Sequence, residues 1–195
     1  MKIGVDIDDT TTKTWDTFYK EYAKLFNIPE EELYNDTPYY RGKIQSKCTL
    51  EEYFEIVRPT NDILTPNLPL KENAKEVIDK LYELGHTITF ITARGKETTN
   101  PYETTKNYLD EHNIKYEKVI LSPKDKASAC IEEKIDLFID DSIKHCTAVS
   151  EKGIEVLMFD NRHNKTCNKF KRVNNWDEIY EHIKSRWNNA KQSNS

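Results

Sequence analysis

The stretch Lys2-Ile-Gly-Val-Asp-Ile-Asp-Asp-Thr-Thr-Thr12 decides the fold. Its apolar run, Ile3 to Val5, is too brief for a helix and suits a buried strand. The run ends in three carboxylates, Asp6, Asp8 and Asp9, followed by the hydroxyls of Thr10, Thr11 and Thr12. In an open parallel sheet, ligands bind just past the carboxyl ends of the strands. Massed carboxylates repel and are costly to desolvate, so they require a cation. Oxygen donors without a thiolate select a hard ion, Mg2+ above all. The competing reading is a plain acidic turn, and such turns seldom follow an apolar strand directly.

Outward from this stretch the pattern alternates. Trp15, Phe18, Tyr19, Tyr22, Leu25 and Phe26 fall at helical spacing, and Asn27 to Pro29 ends that helix. Thr49 and Glu52 have capping-box spacing and open a short helix expected to stop at Pro59. Residues 15–67 thus read as a small helical insertion after the first strand. Helices are expected over Lys71–Leu84, Pro101–His112, Asp125–Glu133, Ser142–Lys152 and Trp176–Trp187. Strands are expected over His86–Thr92, Lys118–Leu121, Asp136–Ile139 and Glu155–Phe159, and residues 188–195 as a disordered tail. Strand-helix alternation of this kind implies an α/β protein, a parallel sheet covered on both faces.

Composition bounds the function. The chain has 195 residues, 36% hydrophobic and 32% charged, enough for one core with an inserted subdomain. A net charge of −5 and a pI near 5.6 disfavour a general nucleic-acid or anionic-membrane binder. No apolar run approaches membrane-spanning length and no signal-peptide pattern is evident, so a cytoplasmic protein is expected. Cys48, Cys130, Cys146 and Cys167 lie far apart and read as free thiols.

Functional residue types gather where strands give way to loops. The first strand leads into Asp6, Asp8 and Asp9, the second into Thr92-Ala93-Arg94. The third is followed by Ser122, Lys124 and Lys126, and the fourth ends in Asp140-Asp141-Ser142. Hydroxyls donate to phosphoryl oxygens, a lysine neutralises them as a point cation, and paired aspartates hold the Mg2+ that bridges to the same phosphate.

These residues resemble the four motifs of the haloacid-dehalogenase-like (HAD) phosphatases. Asp6-x-Asp8-x-Thr10 is similar to the first, Thr92 to the second, Lys126 to the third, and Asp140-Asp141 to the paired-aspartate form of the fourth. The resemblance covers residues 1–14 and 68–187 and implies a Rossmann-like three-layer core, with 15–67 as a helical type 1 cap. Thr92-Ala-Arg-Gly95, the lead into Lys126, and Asn175-Trp-x-Glu-Ile179 are similar to small bacterial nucleotidases of the 5'(3')-deoxyribonucleotidase kind. The family usually has glycine where this chain has Asp9.

The resemblance implies a Mg2+-dependent phosphomonoesterase. Asp6 would be the nucleophile and form an aspartyl-phosphate. Asp8 would be the general acid and then the base, protonated beside a bound phosphate because nearby anions raise its pKa. Asp6, the Asp8 carbonyl and Asp141 would ligate Mg2+, with Asp140 orienting them or binding through water. Thr92, the Ala93 amide and Lys126 would hold the phosphoryl group, and Thr10 would brace the loop. Lys124 rivals Lys126. Arg94 faces either the substrate phosphate or solvent. Ser142 reads as a helix N-cap. Tyr39, Tyr40, Arg41, Tyr53 and Arg58 could stack on a base and pair with a phosphate, or simply pack the cap. His145-Cys146 and His163 to Cys167 hint at soft-metal binding without a second matching pair. Trp176 and Trp187 read as core packing of the last helix. The expected partner is a small phosphate ester, most readily a nucleotide. A sugar phosphate, a nucleic-acid 3'-phosphate end and an idle binding domain of the same fold are the alternatives. The pattern does not fix the oligomeric state, and a homodimer is compatible with it.

Overall fold

A computed structural model describes residues 1–121 and 125–193, with side chains through Arg186. Six strands form one parallel sheet in the order β3-β2-β1-β4-β5-β6. They are β1 (Lys2–Val5), β2 (Thr87–Thr92), β3 (Lys118–Leu121), β4 (Leu137–Asp140), β5 (Glu155–Phe159) and β6 (Lys171–Val173). The expected strands are therefore present. β6 is additional, three residues long at the sheet edge, with too little apolar alternation to announce itself.

Alternation along the strands builds three layers. Ile3, Val5, Ile88, Phe90, Leu137, Ile139, Leu157 and Phe159 share one core cluster with α5 (Ala74–Glu83), α6 (Pro101–Glu111) and α9 (Trp176–Ser193). Ile91, Phe138, Val156 and Met158 face the other way, onto α7 (Lys126–Glu132) and α8 (Ile143–Ser150). Successive side chains on a strand point to opposite faces, so both faces must be apolar when helices cover both.

The chain winds outward one way from β1 through β2 to β3, and the other way from β4 to β6. The crevice at this reversal is where an open α/β sheet binds ligands. Val5 pairs with Ile139 and with Phe90. That register brings Asp6 level with Asp140, and the Asp6 amide donates to the Ile139 carbonyl at 2.9 Å.

Between β1 and α5 lie α1 (Thr14–Phe26), α2 (Glu30–Tyr34), α3 (Gly42–Gln45) and α4 (Leu50–Leu64). The Thr49–Glu52 capping box opens α4, with both reciprocal bonds made. Contrary to expectation, α4 does not stop at Pro59 but continues to Leu64. Proline removes one backbone donor. The buried stripe Tyr53, Val57 and Asn61 holds the helix through it, and the Tyr22 hydroxyl donates to Asn61 Oδ1 at 2.9 Å. α5 begins three residues later than its pattern suggests, because Asn73 is left-handed (φ 58°) and interrupts the turn. α9 continues past Trp187 to Ser193, through part of the expected tail. The Trp176 ring is fully buried and its Nε1 donates to the Thr10 carbonyl, which fixes α9 beneath the loop after β1. The side chain of Trp187 lies outside the described residues. All four cysteines are free thiols, and among the described residues no helix is long and apolar enough to cross a membrane.

Gly4 faces the α7–α8 side. A Cβ there would meet Phe138 Cδ2 at 2.9 Å and Ile135 Cγ2 at 3.2 Å. Gly4→Ala is expected to destabilise the fold by about 1–3 kcal/mol through overpacking, read from the shift in the urea unfolding midpoint against the unaltered chain.

Candidate active site

The loop after β1 turns sharply because Asp9 adopts φ 60°. A left-handed residue is usually glycine, but aspartate tolerates it when its carboxylate finds local donors. Asp9 Oδ1 accepts from the Trp15 amide at 2.9 Å, which caps α1 from outside, and the Tyr39 hydroxyl lies 3.5 Å from Oδ2. This accounts for an aspartate where the HAD pattern has glycine. The loop is braced by Thr11 and Thr12, whose hydroxyls donate to the carbonyls of Asp6 (2.7 Å) and Ile7 (3.0 Å). Thr10 does not serve in the expected way. Its buried hydroxyl has no hydrogen-bond partner among the described residues, and its carbonyl is what receives Trp176.

Lys126, the first residue of α7, points inward and is 3% exposed. Its ammonium donates to Asp6 Oδ1 at 2.5 Å and to Asp140 Oδ2 at 2.7 Å. Its rival Lys124 lies outside the described residues, as does Ser122. Carboxylate oxygens of Asp6, Asp140 and Asp141 all lie within 4.8 Å of one another. Asp141 is held by two asparagines: Asn161 Nδ2 donates to its Oδ2 at 3.0 Å, and buried Asn164 Nδ2 to its carbonyl at 2.8 Å. Asp140 Oδ1 accepts the Ser142 amide at 2.7 Å. Ser142 does stand at the N-cap position of α8, but its side chain makes no capping bond.

Electrostatics separate the carboxylates. Burial pushes the Asp6 carboxyl up to about 8, with Lys126 opposing and the charges of Asp140 and Asp8 adding. Burial and the neighbouring Asp140 charge raise Asp141 well above the ordinary range. For Asp140 burial is outweighed by Lys126, which holds it below that range. The Lys126 ammonium is itself stabilised by Asp140 and Asp6 against its burial. The donors that would surround a hard divalent cation are therefore present, all oxygen and short of positive charge.

Asp8 is paired with Arg94, a partner the sequence pattern does not announce. Burial would raise its pKa, but the Arg94 guanidinium outweighs it and holds the carboxyl low. The substrate-free site thus has Asp8 ionised, because its nearest charge is a cation rather than the anions beside it in sequence. Its side chain is outside the Asp6–Asp140–Asp141 cluster. Arg94 itself is not turned to solvent; it is 7% exposed and paired with Asp8. Thr92 is fully buried, and its hydroxyl accepts the Arg94 amide at 3.3 Å.

These groups floor a cavity of about 700 Å³. Asp6, Asp8, Ala93, Arg94, Lys126, Asp140 and Asp141 line its base, while Phe18, Tyr39, Tyr40, Tyr53 and Phe54 of the insertion line its wall. Arg41 reaches the cavity but Arg58 does not; Arg58 donates to the Lys96 carbonyl instead. Tyr40 packs tilted on Tyr53 at 5.3 Å and donates to the Cys48 carbonyl, so packing and cavity lining coexist in one side chain. Thr14, Asn61 and Glu97 also line the cavity and carry no motif by which the sequence could single them out; His145 and His163 line it too, and the sequence marks them only through the histidine–cysteine spacing. His145 Nδ1 lies 3.4 Å from Asp140 Oδ2. The hinted histidine–cysteine metal site does not form among the described residues, where the one cluster of potential ligands is Asp6, Asp140 and Asp141.

The raised carboxyls set a pH dependence. A folded chain holding a proton that the unfolded chain has lost becomes less stable as pH rises through the folded pKa. Half-buried His163, lowered to about 4, acts in the opposite sense only below the ordinary histidine pKa of about 6.5. Without divalent cations, stability should fall between pH 6.5 and about 8. The limit is about 1.4 kcal/mol per pH unit per proton. Thermal unfolding in EDTA checks this, and Asp6→Asn should flatten the slope.

The comparisons agree with this geometry. The family model described as "5' nucleotidase, deoxy (Pyrimidine), cytosolic type C protein" matches residues 1–192. "Putative nucleotidase OB0422" of Oceanobacillus iheyensis is 25% identical over 192 residues, covering 92% of this chain and 97% of the relative. A predicted phosphatase from Clostridium acetobutylicum superposes with a TM-score of 0.73 at 13% identity, covering 94% of this chain and 98% of that one. A D,D-heptose 1,7-bisphosphate phosphatase from B. bronchiseptica, complexed with magnesium and phosphate, superposes at 0.57 and 11% identity, covering 95% and 99%. The chain belongs to the cytosolic type C 5' nucleotidase family and is a phosphoric monoester hydrolase of the HAD superfamily.

Proposed function

We propose that this protein is a Mg2+-dependent phosphomonoesterase acting on 5'- or 3'-(deoxy)nucleoside monophosphates through an aspartyl-phosphate on Asp6. The observation that supports it is the convergence of Asp6, Asp140, Asp141 and Lys126 beneath an aromatic wall, in a cavity of about 700 Å³. Ligand pockets for small molecules run to about 300–1,000 Å³. We take residues 1–14 and 68–187 as the catalytic core and 15–67 as a cap over it. The family's description is cytosolic, and that is the location we assign.

Asp6, Asp140, Asp141 and the Asp8 carbonyl would hold Mg2+; when bound, it screens the phosphoryl oxygens and offsets the carboxylate charge. Lys126 adds a fixed cation, and the loop at Thr92 and Ala93 offers donors for the remaining oxygens. Asp6 attacks phosphorus as the ester bond breaks. Asp8 delivers a proton to the leaving oxygen, and in the second half removes one from the water that hydrolyses the intermediate. The dianionic phosphoryl group beside Asp8 supplies the field that favours its protonated form against Arg94. Tyr39, Tyr40 and Tyr53 would stack on a base, with Arg41 near the entrance.

The test is phosphate release from 5'- and 3'-(deoxy)nucleotides, sugar phosphates and p-nitrophenyl phosphate, with Mg2+ or EDTA. Turnover is expected only with Mg2+ and fastest on nucleotides. Asp6→Asn should lose at least about a thousandfold while keeping its fold. A preference for sugar phosphates would overturn the substrate assignment, and an active Asp6→Asn variant would overturn the nucleophile.

A further inference from the structure

Arg94 is buried, yet all three of its guanidinium nitrogens are engaged. Nε donates to Asp8 Oδ2 at 3.0 Å and lies 3.2 Å from Oδ1; Nη2 donates to Oδ1 at 2.8 Å. Nη1 donates to the hydroxyl of Thr105, a fully buried residue of α6, at 3.3 Å. On the other side the Thr14 hydroxyl donates to Asp8 Oδ1 at 2.8 Å and is itself paired with Thr12 at 2.6 Å. Among the described residues Oδ1 thus has three donors, whereas Oδ2 has one.

We propose that Arg94 is the positioning residue of the acid–base group, not a phosphate ligand, and that Oδ2 of Asp8 is the oxygen that carries the proton. This rests on the phosphomonoesterase reading above. A planar fork clamps a carboxylate in one orientation, which an ammonium cannot do. Anchoring of the fork on Thr105 ties that orientation to α6, outside the loop that carries Asp8. In the first half-reaction the P–O ester bond breaks, a P–O bond to Asp6 forms, and the proton on Oδ2 passes to the leaving alkoxide. The Asp8 carboxylate that remains is the species Arg94 and Thr14 already hold. In the second half the water oxygen bonds phosphorus as the P–O bond to Asp6 breaks, and Asp8 regains its proton from that water.

The leaving group discriminates this role. An alkoxide needs the proton; p-nitrophenolate departs without it. With enzyme in excess, single-turnover release of nucleoside from a 5'-nucleotide and of p-nitrophenolate from its phosphate are compared across variants. Arg94→Met should slow the alkyl ester about 100-fold, the scale of a lost or misplaced general acid. The aryl ester should slow far less, so that the alkyl-to-aryl rate ratio falls at least about tenfold. KM and inhibition by orthophosphate should stay within about threefold, because uniform phosphate binding is untouched. Arg94→Lys should recover only part of the ratio. Thr105→Val keeps the charge and the volume, guards against misfolding of the first variant, and should lower the ratio in the same direction.

Equal slowing of both esters overturns the proposal, since a structural role moves them together. So does a rise in KM and in the orthophosphate inhibition constant at unchanged kcat, which would make Arg94 a phosphate ligand. If the unaltered chain hydrolyses another alkyl phosphate but no nucleotide, the nucleotide assignment fails alone and the ratio is read on that ester. A chain inert towards every ester overturns both readings.

Discussion

The structure depends on one ammonium group between two carboxylates. Asp6 and Asp140 stand at the ends of adjacent central strands and are almost wholly buried. Two such charges in a dry site would be untenable alone, and removing one member of a buried ionic cluster leaves the others uncompensated, at a cost of roughly 3–5 kcal/mol. Lys126 meets both. Its position requires β1 and β4 in register, and α7 starting at the lip of the crevice with its first residue turned inward. Among the described residues Asp141 has no ion pair of its own, and burial with the neighbouring Asp140 charge raises its carboxyl.

The same arrangement gives neighbouring aspartates different characters. Asp6 and Asp140 share Lys126, but burial outweighs it at Asp6 and not at Asp140; Asp141 is raised by burial and by Asp140, and Asp8 has Arg94. A nucleophile, ligands and an acid–base group can thus be made from one residue type by partner alone. The loop after β1 carries Asp6 and Asp8, for which two of these roles are proposed, and it is fixed from three sides: by its own threonines, by Trp15 through Asp9, and by Trp176 of the last helix.

Much of this is legible in the sequence, for physical reasons. Strand ends announce themselves when apolar runs stop at Asp6, Thr92 and Asp140, because burial of both sheet faces leaves no charged residue inside a central strand. The order of the four motifs then brings Asp6, Lys126, Asp140 and Asp141 together, as their measured separations show. What the pattern hides is direction. Nothing in Thr92-Ala-Arg says that the arginine folds back onto Asp8, since that contact spans 86 residues. The same distance hides that a cation holds the Asp8 carboxyl low in the absence of a phosphate. Thr10 looked like the brace and its neighbours do that work, because which hydroxyl faces a carbonyl depends on the turn geometry at Asp9. Pro59 read as a stop, but burial of the α4 stripe outweighs one missing hydrogen bond.

The central claim is that Asp6 receives the phosphoryl group. The most direct measurement is acid quench of the full chain during turnover of a 5'-nucleotide with Mg2+, followed by digestion and mass spectrometry. The account predicts one phosphoryl adduct, on the peptide bearing Asp6, labile to hydroxylamine and missing from Asp6→Asn. A phosphoryl group on another side chain, or turnover with no adduct in a quench fast enough to capture a single cycle, would contradict it.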